Sequence, residues 1–141
     1  MENIEIDIIA NSALSSFKEV ICLFENVFER EDFSIPSDEH LQTLLNKKDF
    51  FVLTAQKNGK LVGGLTVYVI NQYYSEKPLA YIYDLAVRVD HQRQGIGKAL
   101  INYLNVYCRD NGFEEVYVQA DLEDEHALDF YRSTKATEAD V

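Results

Sequence analysis

Basic residues are scarce in this chain. Its 141 residues carry 13 lysines and arginines against 24 aspartates and glutamates, a formal charge of −11. That field repels phosphate backbones and anionic bilayers, so neither nucleic acid nor a membrane is expected as a partner. It favours cationic small molecules or basic proteins, although plain solubility would also account for it. Cysteine is nearly missing too, with only Cys22 and Cys108, both in helical patterns. They read as two small buried hydrophobes in a reducing compartment, not as a disulfide or a nucleophile. The three histidines, His40, His91 and His126, lack metal-ligand spacing, and no metal is expected. No run approaches the roughly 20 apolar residues of a spanning helix. The best, "LVGGLTVYVI", stops at Asn71. The opening "MENIEIDII" is acidic and has neither the basic flank nor the cleavage site of a secretory leader. The expectation is a cytoplasmic chain. Repeats, low-complexity tracts and linkers are missing as well, which predicts one domain over residues 1–141.

What is present is a core. The composition is 47% hydrophobic and 12% aromatic, enough for a packed globule. "IEIDII" (4–9) alternates at period two and predicts a strand. Phe17, Val20, Ile21, Phe24 and Phe28 recur at helical spacing, and Ser37 caps a shorter helix carrying Leu41, Leu44 and Leu45. "FFVLTAQ" and "LVGGLTVYVI", joined through Asn58-Gly59, predict a hairpin. "LAYIYDLAV" (79–87) is too apolar to be half solvated and should lie inside the sheet. A helix from Lys98 places Leu100, Leu104 and Cys108 on one side with Ile96 and stops at Asn111-Gly112. A strand at 115–120 and a helix over "LEDEHALDFYRS" complete the order β-α-α-β-β-β-α-β-α. Three consecutive strands before a β-α-β-α unit predict a mixed α/β sheet, not a doubly wound parallel one.

One stretch runs against the acidic whole. "DHQRQGIGKALINYL" (90–104) sets Arg93, Lys98 and two glycines at a helix start. Backbone N–H groups there have no intrahelical partner and, with the positive end of the helix dipole, form an anion site. An acidic protein with a local anion site suggests two ligands of opposite sign. Three phosphate-binding loops fail the spacing. A P-loop needs glycines five apart before Lys-Ser/Thr, whereas Ala99 follows Lys98. A dinucleotide fold needs a third glycine, and position 100 is Leu100. A kinase loop would lie between antiparallel strands.

Gln92-Arg93-Gln94-Gly95-Ile96-Gly97 after a strand ending "DLAV" instead resembles the Gln/Arg-x-x-Gly-x-Gly/Ala signature of the GNAT superfamily of acetyl-CoA-dependent N-acetyltransferases. The strings "IYDLAV" and "YVQAD" narrow the resemblance to aminoglycoside 3-N-acetyltransferases of the gentamicin type. His126 and Glu123 depart from that group, which tends to have proline and glycine there. The resemblance implies a GNAT-like fold whose last strand is not expected before the chain stops at Val141. It also implies acetyl-CoA as donor, a possible homodimer, and a cofactor site at Leu85, Ala86, Val87 and residues Gln92 to Ala99 (Gln92, Arg93, Gln94, Gly95, Ile96, Gly97, Lys98, Ala99). The amides from Gln94 to Ala99 would hold the pyrophosphate, and the edge of Leu85 to Val87 would pair with the pantetheine arm. Lys98 is either a surface residue or a phosphate contact.

Asp84 is the most informative residue, because an unpaired carboxylate inside an apolar strand costs several kcal/mol. It reads as a general base, direct or through water, or as an anchor for a substrate ammonium. The alternative is a carboxylate in a solvated groove or paired with a buried base. By the resemblance, Tyr131 donates a proton to the departing thiolate; otherwise it is an inward aromatic. Tyr83, Asp84, Asp121, Glu123 and Asp124 are the expected acceptor contacts, the acids of 121–125 being equally readable as a solvated loop. Glu29, Glu31 and Asp32 share that ambiguity. The expected activity is direct transfer of an acetyl group to an aminoglycoside amine, conferring resistance. Acetylation of another polycation, and a non-catalytic acyl-CoA sensor, are the alternatives.

Overall fold

The computed structural model describes residues 3–119 and 137–139. Six strands form one sheet in chain order: β1 (Ile4–Ile8), β2 (Phe50–Lys57), β3 (Lys60–Ile70), β4 (Leu79–Val87), β5 (Glu115–Gln119) and β6 (Thr137–Ala139). The first four are antiparallel neighbours, whereas β5 runs parallel to β4 and β6 parallel to β5. Parallel neighbours need a long crossover. Between β4 and β5 it is helix α3 (Ile96–Asp110). Helices α1 (Leu14–Phe28) and α2 (Asp38–Leu45) lie between β1 and β2 in sequence. The expected mixed α/β sheet is the one observed.

The helices divide between the two faces. Ile96, Leu100, Ile101, Leu104 and Cys108 of α3 pack on Leu53, Leu65, Val67, Ala80 and Ile82. Phe17, Val20, Leu23 and Phe24 of α1, with Leu41 and Leu45 of α2, cover Phe50, Val52 and Ala86 on the opposite face. Helices α1 and α3 press on opposite sides of Gly63-Gly64 of β3. A Cβ on Gly63 would sit 3.2 Å from Ile96 Cγ2 and from Leu100 Cδ1, and one on Gly64 would sit 2.8 Å from Val20 Cγ1. The glycine pair thus sets how tightly the sheet is sandwiched.

Four expectations need correction. A last strand does appear, at Thr137–Ala139, paired in parallel with Tyr117–Gln119. "TEA" lacks any apolar alternation, and pairing to the β5 edge is what makes it a strand. Helix α3 begins at Ile96, two residues before Lys98, with Gly95 as its cap and Gly97 inside the first turn. Cys108 is buried, which pushes its thiol up to about 12, but Cys22 is exposed. Cys22 stands two residues from both Val20 and Phe24, about 160° around the helix from each, on the side turned away from them. Phe28, at the end of α1, is also exposed, stacked on Phe24 at 5.8 Å. The expected helix over "LEDEHALDFYRS" lies outside the described residues, as do Asp121, Glu123, Asp124, His126 and Tyr131.

Candidate active site

The site starts from an irregularity in β4. Val67 of β3 pairs with Ile82, but its neighbour Thr66 pairs with Asp84, so Tyr83 is an extra residue without a partner on β3. This is a β-bulge, and it reverses the alternation of the strand. Before it, Ala80 and Ile82 point into the α3 core. After it, Leu85 and Val87 do so, and Ala86 turns to α1. Unbroken alternation from Ile82 would have driven Asp84 into the α3 core. Instead Asp84 shares the α1 face with Ala86, and its backbone N–H donates to the Thr66 hydroxyl at 3.1 Å.

The bulge also ends the pairing with β5. The β4–β5 ladder runs from Leu79↔Glu115 to Ile82↔Val118 and goes no further, although both strands continue. From Asp84 to Val87 the strand is paired with β3 alone among the described residues. One main-chain edge therefore opens there, among the described residues, with N–H and C=O groups available to a ligand that lies along it.

Asp84 faces a charged and aromatic wall. Arg30, just past the C-terminus of α1, places Nη2 3.6 Å from Asp84 Oδ1 and Nη1 3.0 Å from Glu25 Oε1. The Asp84 side chain is 21% exposed and that of Glu25 13%, whereas Arg30 is half exposed. Burial raises the Asp84 carboxyl above its ordinary value; the Arg30 guanidinium opposes this and the Glu25 carboxylate adds to it. Desolvation wins, and the group is poised to take up a proton. Tyr83 is 60% exposed and meets Tyr68 edge-on at 5.4 Å and Tyr81 at 6.2 Å. Tyr81 stacks on Tyr117 of β5 at 5.2 Å. Burial, then Tyr83, then Asp84 raise the Tyr68 phenol and keep it protonated.

The second part of the site is the start of α3. Gly95 caps the helix at φ +83° and, having no side chain, makes no cap bond to the first turn. The first intrahelical bond near it is Ala99 N–H to Gly95 C=O at 2.9 Å, which leaves the amides of Ile96, Gly97 and Lys98 without intrahelical partners. No acidic side chain occupies that turn. Ile96 and Gly97 are buried, and Lys98 is exposed. The signature's polar residues serve local structure: Gln92 Nε2 donates to Val87 C=O at 3.0 Å, and Gln94 Oε1 accepts from Lys57 Nζ at 3.1 Å. Arg93 adopts φ +63°. Nearby, a cavity of about 720 Å³ against α1 is lined by Lys18, Lys60 and Arg88 among others. It does not include Asp84, and beside the end of β4 it gathers these three bases with one acid, Glu19.

Open strand edge, bulge carboxylate and unfilled helix start thus fall along the C-terminal half of β4. Tyr83, Asp84, Leu85, Ala86 and Val87 lie on that half of the strand, and the 92–99 turn follows it, tied back by the Gln92–Val87 hydrogen bond; Glu29, Glu31 and Asp32 lie exposed in the loop that carries Arg30. Sequence reasoning missed Glu25, Arg30, Tyr68, Tyr81 and Tyr117. A signal for the bulge was present: apolar positions 80 and 82 are followed by 85 and 87, an odd step within one strand.

A model of the acetyltransferase (GNAT) family matches residues 17–134. The chain belongs to this family. Among solved structures, the aminoglycoside acetyltransferase meta-AAC0020 from an uncultured soil metagenomic sample is 57% identical, with a TM-score of 0.93. The match covers 98% of this chain and 91% of that one, which has been solved with trehalose and with sisomicin. HMB0005, an aminoglycoside acetyltransferase also from an uncultured soil metagenomic sample, is 28% identical over 99% of this chain and 95% of its own, at TM-score 0.90. The aminoglycoside N-acetyltransferase AAC(6')-Iy, solved with the bisubstrate analogue CoA-S-monomethyl-acetylneamine, shares the fold at 14% identity, covering 99% of this chain and 94% of its own, with TM-score 0.78.

Proposed function

We propose that the protein transfers an acetyl group from acetyl-CoA to an amine of an aminoglycoside, in a ternary complex, and so confers resistance. The carrying observation is the placement of a partly buried carboxylate, Asp84, at the bulge where β4 parts from β5, on the strand that leads into the uncapped start of α3. The likeness to meta-AAC0020, solved with sisomicin, supports an aminoglycoside as the acceptor. The acetylated position proposed is the 3-amino group, on the strings "IYDLAV" and "YVQAD".

The donor fits the residues present. Three amides at a helix start suit a pyrophosphate, Gly97 presents no side chain to it, and the edge of residues 83–87 suits the amide-bearing arm of the coenzyme. When bound, acetyl-CoA supplies the activated thioester. Asp84 removes the proton of the acceptor ammonium, directly or through water, which exposes the nitrogen lone pair. An N–H of the open edge polarises the thioester carbonyl. Tyr131, by its place in the family pattern, returns a proton to the leaving sulfur.

Acetyl-CoA turnover with a panel of amines tests the reading. Aminoglycosides should be acetylated, with polyamines and lysine peptides well behind, and product analysis should place the acetyl group on the 3-amino nitrogen. Preferred turnover of a lysine peptide or polyamine would replace the acceptor, and no turnover with any amine would leave a coenzyme-binding protein.

A further inference from the structure

Arg30 holds the two carboxylates of the site together. Its Nη1 lies at hydrogen-bond distance from Glu25, but its Nη2 is 3.6 Å from Asp84, an ion pair longer than a hydrogen bond. It is half exposed and comes from a loop, where the backbone of Glu29 takes a left-handed turn at φ +52°. Its guanidinium lies 5.1 Å from the centre of the Phe28 ring, itself at the surface. Its route to solvent is therefore open. Glu25 adds a second observation, since its Oε2 is buried with no hydrogen-bond partner among the described residues. An acid oxygen without a donor, beside a cation that reaches only the other oxygen, is an incomplete arrangement.

Resting on the acceptor-site reading of Asp84, we propose that Arg30 is a resident cation standing where the acceptor's ammonium groups bind. Binding is then an exchange: the acceptor displaces the guanidinium from Asp84 and Glu25. One two-pronged cation serves both acids, so its replacement must present two cationic nitrogens, one for each. The acceptor class is thereby narrowed to amines with at least two neighbouring ammonium groups, and a monoamine leaves one buried carboxylate unpaired. Among the described residues, the charged and titratable groups that act on or feel Asp84 are Glu25 and Arg30 from α1 and its loop, Tyr68 from β3 and Tyr81 from β4. Among these Arg30 is the sole cation.

The test is sisomicin binding and turnover in Arg30→Ala and Arg30→Lys. Loss of a partly exposed ion pair of up to about 1 kcal/mol corresponds to roughly fivefold in affinity. Arg30→Ala should therefore bind sisomicin about three- to fivefold more tightly, with a lower KM, kcat within about twofold of the parent and unchanged acetyl-CoA affinity. Arg30→Lys keeps a cation but not the two-pronged hold on Glu25 and Asp84, and its sisomicin affinity should fall between those of the parent and Arg30→Ala. The gain should be larger for sisomicin than for a monoamine, because both vacated acids are filled. A higher KM, an unchanged KM, or a fall in kcat in the folded Arg30→Ala protein would overturn the proposal and make Arg30 a support of the site. A larger gain for the monoamine would overturn the two-ammonium requirement. Asp84→Asn separates the two readings. If it leaves sisomicin binding intact, the acceptor site itself is misplaced. If it weakens binding while Arg30→Ala fails to tighten it, only the role of Arg30 falls.

Discussion

The two halves of β4 have nearly the same composition and opposite fates. Residues 79–82 are held by β3 on one side and β5 on the other, with Tyr81 stacked across on Tyr117. Residues 84–87 keep β3 but, among the described residues, have no partner on the β5 side, and they carry the only acid of the strand. One extra residue makes the difference. The bulge at Tyr83 bends the strand away from β5, turns Asp84 out of the α3 core and restores Leu85 and Val87 to it. The sheet is interrupted at one position while the core on both sides stays packed.

Deleting Tyr83 would break that comparison. The remaining sequence alternates without a fault, with Ile82, Leu85 and Val87 toward α3 and Asp84 and Ala86 toward α1. The variant should fold, with a Tm at or above the parent's, and hydrogen exchange should show protected amides beyond Ile82 where β4 now pairs with β5. Its kcat/KM for acetyl transfer should fall by at least about 10²-fold, the cost of displacing reacting groups by an ångström or so. A deletion variant with parental activity would mean that the bulge does not build the site.

The open half is backed by the glycine pair, since Gly63 pairs with Val87 and Gly64 with Ala86. Gly64→Ala should therefore be destabilising by about 1–3 kcal/mol, as overpacking in a core usually is. Its new methyl would sit 2.8 Å from Val20 Cγ1, a fully buried β-branched side chain with few alternative rotamers. Gly63→Ala, with contacts at 3.2 and 3.3 Å, should lose less. Equal thermal melts for Gly64→Ala and the parent would show that α1 can shift freely over the sheet.

The same contrast explains what could be read in advance. The paired half of β4, the hairpin through Asn58-Gly59 and the buried side of α3 follow from local apolar periodicity, which the sheet obeys. The glycine turn was legible because Gly95 needs a positive φ that few residues tolerate. The position of Asp84 as a special residue was legible from its cost in an apolar strand. Its partners were not. Glu25 and Arg30 are more than 50 positions away in sequence, and no local pattern says that α1 ends above the bulge. Tyr68 and Tyr117 enter through strand register, which depends on the bulge itself. The β6 strand was missed because "TEA" owes its conformation to the neighbouring edge.

The smallest expected effect concerns stability and sharpens the difference between the halves. Ala80 and Ile82 stabilise the fold where they sit, whereas Asp84 is held in a place that disfavours its charge. Burial raises its carboxyl above the unfolded value, and the Arg30 guanidinium only partly offsets this. The folded chain then binds a proton more tightly than the unfolded one. Between the raised folded value and the ordinary carboxylate value, stability from this group grows as pH falls; above that window the penalty is fully present. Asp84→Asn removes the titration and keeps the shape. It should melt higher than the parent at neutral pH, and the two proteins should converge as the pH falls through the window to the ordinary carboxylate range. Thermal melts across that range decide the matter. An Asp84→Asn protein less stable than the parent at neutral pH would mean that the ion pair with Arg30 outweighs the desolvation, and that Asp84 is a structural acid.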